Sequence, residues 1–176
     1  MAAVSQDEYA GMFRECSDAF RIEGERSYRT SPAEAEALAG FLAGSPQPPS
    51  AFPVWQSWLD QVRVWTSPPS GKTITRVRII DRPPTDYQRW SLWCSSWHRD
   101  AGEDIRYLSR ARADALGIPR GDWQLFDHVR LVLMVFSAAG ETAGKTLVTD
   151  SAVIRRYQAW RDLALRHAMA AEAVVV

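Results

Sequence analysis

The groups able to do chemistry are concentrated between Arg76 and Arg110, where the chain reads RVRIIDRPPTDYQRWSLWCSSWHRDAGEDIRYLSR. Arg76, Arg78 and Arg106 fall on β-patterned runs, Asp86 and Tyr87 open a Trp-bearing helix, and Glu103 and Asp104 follow its end. Guanidinium groups on adjacent strands can present paired donors to a phosphate or carboxylate. The simpler reading is internal salt bridges with Asp81, Asp86, Glu103 and Asp104, because most surface arginines are solvated or paired with local acids. Either way the arginine side of the strand is expected to be only partly covered, and Arg76, Arg78, Glu103, Asp104 and Arg106 are expected to form one connected network. Glu103 with Asp104, and Asp122 with Asp127 on either side of WQLF, could share acid and base roles only at a suitable spatial separation. Their places at element boundaries equally suit turns and caps. His98, His128 and His167 share no metal-ligand spacing, so no metal is expected. Gly71-Lys72-Thr73 imitates the end of a phosphate-binding loop, but Thr66 stands where the first glycine is needed, after a helix pattern rather than a strand. No nucleophile elbow, zinc-protease helix or glycine-rich dinucleotide turn occurs. No cofactor, reaction or catalytic residue is assigned.

These residues must be placed by the elements around them. Tyr9, Met12, Phe13, Cys16 and Phe20 recur at helical spacing and predict a first helix from Asp7 to about Ile22. Ser31, Pro32 and Glu34 supply an N-cap, a first-turn proline and the reciprocal acid of a capping box. The proline-rich stretch SPQPPSAFP leads to a third helix with Trp55, Trp58, Leu59, Val62 and Trp65 on one face. TITRVRIID alternates with period two and reads as a strand with Arg76 and Arg78 on one side. Thr85 and Gln88 can cap the next helix, which carries Tyr87, Trp90, Cys94 and Trp97. Beyond it come a strand from Asp104 to Leu108, a polar loop, strands over Trp123–Phe126, Val129–Phe136 and Thr146–Val148, and a last helix from Asp150 or Ser151 to about Ala171. The order predicts an α+β or α/β fold, with a mixed or antiparallel sheet of about four to five strands packed by helices. One domain is expected over 1–176, with a helical part at 1–66 and a sheet-and-helix core at 71–171.

Six of the eight tryptophans lie between Trp55 and Trp97. Most are read as core; Trp93, off the line of Trp90 and Trp97, is the candidate for an interface together with Arg89, since Trp and Arg are enriched at binding hot spots. Twenty-one basic and 21 acidic residues cancel, which weighs against direct nucleic-acid binding. Cys16 and Cys94 form no metal or disulfide pattern, and no apolar run approaches a membrane span. Nor does the start show a signal sequence. A cytoplasmic location without membrane association is the expectation.

The segments AFRIE at Ala19–Glu23, W-x-x-W at Trp55–Trp58, GKTITRVRIIDRPPTDY at Gly71–Tyr87, AGEDIRYLSR at Ala101–Arg110 and DWQLFD at Asp122–Asp127 together resemble an actinobacterial family of unknown function. That family typically reads G-[KR]-x-x-x-R-V-R-[VI]-[VI], P-[LP]-[ST]-D-Y, A-G-E-D-I-R and D-[FW]-W-L-F-D. This chain departs from the pattern at Gln124, which interrupts the last motif, and at Pro84, where leucine is commoner. The resemblance marks Arg76, Arg78, Asp86, Tyr87, Gly102, Glu103, Asp104, Arg106, Asp122 and Asp127 as a polar cluster. It also implies a regulatory partner role, since such families often neighbour XRE-type helix-turn-helix regulators. The element order also looks loosely like a phospholipase-D-type half, without the His-x-Lys motif of that chemistry, so the analogy carries no activity. Two functions are carried forward. One is a non-enzymatic regulatory or protein-interaction role, with a helix-turn-helix regulator as partner. The other is a small-molecule-binding protein or enzyme of a biosynthetic locus, its pocket lined by Trp and closed by the arginine and carboxylate cluster.

Overall fold

The structure, a computed structural model, describes residues 1–29 and 31–174, so the last two residues of the domain expected over 1–176 lie outside it. The chain begins with the short strand β1 (Ala2–Ala3) and helix α1 (Gln6–Glu15), then strand β2 (Asp18–Glu23) and helix α2 (Pro32–Leu42). A 3-10 turn (Pro49–Ala51) leads into α3 (Pro53–Thr66), followed by β3 (Thr73–Ile80), α4 (Asp86–Asp100), β4 (Asp104–Ser109) and α5 (Arg110–Ala115). Strands β5 (Asp122–Phe126), β6 (Arg130–Phe136) and β7 (Thr142–Val148), helix α6 (Ser151–His167) and strand β8 (Met169–Ala170) complete it, with a final 3-10 turn (Ala171–Ala173).

Helices and sheet are mixed, as expected, but the sheet has eight strands instead of four to five, in the order β1-β7-β6-β5-β2-β3-β4-β8. Strands β2, β3 and β4 run parallel, and every other pairing is antiparallel. The count was missed for two reasons. Two of the strands, β1 and β8, are only two residues long and carry no periodicity, though as short flanking strands they blunt the sheet edges. The third, β2, occupies what read as the end of the first helix. That helix stops at Glu15, and Ala19, Arg21 and Glu23 then alternate with Phe20 and Ile22 across the sheet. A six-residue strand following a helix at matching apolar spacing mimics a longer helix. The loop after β4 contains α5, capped by Ser109, and the last helix ends at His167, earlier than Ala171.

The back of the sheet is apolar. Phe20, Ile22, Val77, Ile79, Leu108, Trp123, Leu125 and Leu131 pack with Ala113 of α5 and with Ile154 and Ala164 of α6. The front is divided. At one end Tyr9 and Met12 of α1 cover Ala19, Phe126, Val132 and Met134, and Leu59 and Val62 of α3 cover Ile74. Near the middle the front-facing residues turn polar: Arg21, Arg76 and Gln124 are aligned across β2, β3 and β5 by the register. Helix α4 is placed over this region by the predicted box, in which Thr85 Oγ1 accepts from the Gln88 N–H at 3.2 Å and Gln88 Oε1 accepts from the Thr85 N–H at 3.1 Å. No described helix is long and apolar enough to cross a membrane.

Candidate functional site: a tryptophan-lined cavity over a charged floor

Between the front of the sheet and helices α1–α4 lies a cavity of about 730 Å³. This is within the ~300–1,000 Å³ typical of sites for small organic molecules. Its walls are aromatic, with Tyr9 and Phe13 from α1, Trp55, Trp58 and Trp65 from α3, and Tyr87 and Trp90 from α4. The 3.6-residue repeat stacks Trp55 and Trp58 on one face of α3, and Tyr87 and Trp90 on one face of α4. Their rings then meet edge to face: Trp55 and Trp90 have centroids 5.8 Å apart at 62°, and Tyr87 and Trp90 5.4 Å apart at 68°.

The floor is ionic. Glu23 is its hub: Arg76 donates to Oε1 at 2.6 Å, Arg78 donates through Nε to Oε2 at 2.8 Å, and Arg21 Nε lies 3.7 Å from Oε1. Burial alone would oppose ionisation of Glu23, but Arg76, Arg78 and Arg21 outweigh it and hold the carboxyl below its ordinary range. Arg21 also donates to Asp122 at 2.7 Å, and Asp122 accepts from the Tyr28 hydroxyl at 2.8 Å and the Gly24 N–H at 2.8 Å. Arg78 donates to the Ser91 carbonyl at 2.8 Å and to the Tyr107 hydroxyl at 3.3 Å. Gln124, the departure from the motif, is 2% exposed and its Oε1 accepts from the Tyr9 hydroxyl.

A second arm runs behind the cavity wall. Glu103, 2% exposed, accepts from the Trp58 indole at 3.1 Å and lies 3.2 Å from Arg76 and 3.3 Å from His98 Nδ1. Burial pushes its pKa up, but Arg76 and then His98 outweigh burial and bring it down to about 2. The Trp55 indole donates to His98 Nε2 at 3.3 Å, so the ring's proton belongs on Nδ1, facing Glu103. Burial, only partly opposed by Glu103, lowers the His98 pKa and keeps the imidazole neutral. His98 is thereby a strut between two walls, with Nε2 accepting from Trp55 and Nδ1 facing the Glu103 carboxylate. Among the described residues no group of three or more His, Cys, Asp or Glu could hold a metal ion.

Of the residues singled out in the sequence, Arg76, Arg78, Tyr87, Glu103 and Asp122 converge on this cavity and its floor. The others are elsewhere. Asp104 and Arg106 pair with each other at 2.8 Å, and the pleat separates both from Arg76: Ile105 is the β4 residue aligned with it. The expected five-residue network is therefore two separate groups. Asp86 is exposed and pairs with Arg89 at 2.6 Å. Asp127 ties β5 to the start of β2 by accepting from the N–H groups of Ser17 and Asp18 at 2.8 and 3.0 Å. Trp93 is half-buried against Phe41 and Trp97, at 5.7 and 4.6 Å between centroids. The arginine side of β3 is not partly open: the Arg76 and Arg78 side chains are only 13% and 11% exposed.

Sequence reasoning missed Arg21, Glu23, Tyr28 and Glu34. The signal for the first two was present in AFRIE, whose alternation of Ala19, Arg21 and Glu23 with Phe20 and Ile22 is a strand pattern. Tyr28 and Glu34 reach the site only through tertiary packing. Comparison with curated proteins finds no match. Residues 7–174 match the family described as a domain of unknown function (DUF6879), and with nearly its whole length inside that match the chain belongs to that family.

Proposed function

We propose that the protein is a small-molecule-binding protein and that the aromatic cavity is its ligand site. The observation that carries this reading is the joining of a 730 Å³ space, walled by Trp and Tyr, to a floor of buried charged groups held in fixed geometry. Sites for organic ligands combine an apolar, aromatic lining with a few fixed polar groups. Several of those groups have unused capacity: Arg21 Nε, Arg76 Nε, the Trp90 indole N–H and Glu34 Oε2 are buried without a hydrogen-bond partner among the described residues. Unsatisfied buried donors and acceptors are costly, and a ligand offering complementary atoms removes that cost.

The regulatory or protein-interaction reading, with a helix-turn-helix partner, has less to support it. Its two marker residues are engaged within the chain, Trp93 edge to face with Trp97 and Arg89 in an ion pair with Asp86. An enzymatic version of the small-molecule reading finds no support at His98 or Cys94. His98 is tied to Trp55 through Nε2 and faces Glu103 through Nδ1, and burial raises the Cys94 thiol far above its ordinary value, away from thiolate chemistry at neutral pH.

The test is a thermal-shift and ligand-observed NMR screen of flat, drug-sized organic molecules against the wild type and Ala33→Trp, which fills part of the cavity. Hits that stabilise the wild type and are lost in the filled variant are expected. A screen without hits, or hits unaffected by filling, overturns the reading.

A further inference from the structure

The buried charges around the cavity are matched one to one except at Glu34; Arg14, which also lines the cavity without an ion pair among the described residues, is exposed. Arg21, Arg76 and Arg78 are balanced by Asp122, Glu23 and Glu103 through contacts of 2.6 to 3.2 Å. Glu34 has no ion pair among the described residues. The Ser31–Glu34 spacing predicts a capping box, and half of it forms: Ser31 Oγ accepts from the Glu34 N–H at 3.2 Å. The Glu34 carboxyl does not return to the cap. Its Oε1 accepts from the Tyr87 hydroxyl at 3.3 Å, and Oε2 is buried with no hydrogen-bond partner.

Aromatic rings follow from that carboxyl in an unbroken row along the same cavity. Tyr28 and Tyr87 are 5.3 Å apart between centroids, Tyr87 and Trp90 5.4 Å, Trp90 and Trp55 5.8 Å, and Trp55 and Phe52 6.2 Å. Electron-rich ring faces beside one uncompensated carboxylate attract a desolvated cation. An anion on the floor would meet Arg21, Arg76 and Arg78, whose charge is already matched, and would add a second unbalanced negative charge beside Glu34.

Resting on the ligand-binding reading above, we propose that this cavity takes an organic cation: an ammonium group on a flat apolar body, its charge received by the Glu34 carboxylate and the neighbouring Tyr and Trp faces. The electrostatic setting of Glu34 agrees. Burial and then the negative charge of Glu23 push its carboxyl above the ordinary range, so the carboxylate is the group that a cation would relieve.

Three probes sharing one aromatic body separate charge from shape: 2-(2-naphthyl)ethylamine, 2-(2-naphthyl)ethanol and 3-(2-naphthyl)propionate, titrated calorimetrically into the whole protein at about pH 8, where the amine is still protonated. The amine should bind about tenfold more tightly than the alcohol, with the carboxylate weakest. Glu34→Gln, checked for folding by circular dichroism, should bring the amine down to the alcohol's level. An amine advantage that survives Glu34→Gln, or a carboxylate binding as tightly as the amine, overturns the cation assignment while leaving a ligand cavity in place. Failure of all three probes overturns the assignment as well, and only a blank screen of neutral and anionic compounds would remove the cavity reading with it. Should Glu34→Gln fail to fold, the ranking of the three probes on the wild type decides the charge preference alone.

Discussion

Replacing Glu103 by glutamine tests the charged floor most directly. The carboxylate is buried and touches Arg76, His98 and Trp58. Its pKa of about 2 in the folded protein compares with about 4.3 for an unfolded glutamate. A folded pKa below the unfolded one means that ionisation favours the folded state. The contribution is fully present above about pH 4.3 and is lost as pH falls through the window down to about 2. The difference of a little over two pH units, at about 1.4 kcal/mol per unit, amounts to about 3 kcal/mol at neutral pH, of which about half is gone by pH 3. Glutamine still offers a carbonyl oxygen to the Trp58 indole but leaves Arg76 with one buried anion, Glu23, instead of two. Breaking a buried pair by removing one partner costs ~3–5 kcal/mol in general, in agreement with the linkage value. Urea unfolding of parent and Glu103→Gln at about pH 7, 5 and 3 should show a gap of about 3 kcal/mol at neutral pH that narrows by about half at pH 3. Equal stabilities at neutral pH, or a gap that does not narrow on acidification, would refute the reasoning.

Three further outcomes are expected. Thr85→Ala removes the cap of α4 and should lower stability by about 1 kcal/mol in denaturant melts; curves that overlay the parent would count against the cap's importance. Gly102 has φ +101°, and a Cβ there would collide with the Thr66 hydroxyl and lie 2.7 Å from its Cβ, so Gly102→Ala should cost upwards of about 2 kcal/mol, measured in the same way. Asp127, held below its ordinary pKa despite partial burial by the N–H groups of Asp18 and Ser17, contributes stability above the ordinary aspartate pKa that fades as pH falls through its lowered one. Asp127→Asn should therefore be less sensitive to acid than the parent, and an unchanged acid-unfolding midpoint would exclude that role.

The parts of the molecule set by local rules were readable in the sequence. Ser31 and Thr85 cap helices where the spacing places them, and the period-two alternation of β3 puts Arg76 and Arg78 on one face. What failed depended on partners distant in sequence. Arg76 reads as exposed or paired with a neighbouring acid, because its partner Glu23 lies 53 positions away on an element that itself read as helix. Glu34 reads as half of a capping box, because the pull of Tyr87 on its carboxyl exists only after α4 packs over α2. Asp104 and Arg106 read as members of the cluster, because adjacency in sequence conceals that alternate residues of a strand face opposite sides.

The ionic floor itself argues for function. A buried network of arginines and carboxylates gains little stability over well-packed apolar residues of the same volume, since the cost of desolvating each charge consumes most of the attraction. The rest of the sheet shows that this chain builds apolar faces readily, as on the back with Phe20, Ile22, Val77 and Leu125. Stability alone therefore does not call for Arg21, Arg76 and Arg78 in the middle of the front face. What the network supplies is rigidity at the base of a large cavity: Glu23 fixes Arg76 and Arg78, Asp122 fixes Arg21 and Tyr28, and Glu103 fixes Arg76 and the strut through His98 to Trp55. Each of these contacts orients a side chain that lines the cavity. Held in place before a ligand arrives, such groups lose little conformational freedom on binding, and a fixed polar floor under aromatic walls can select by charge and shape together.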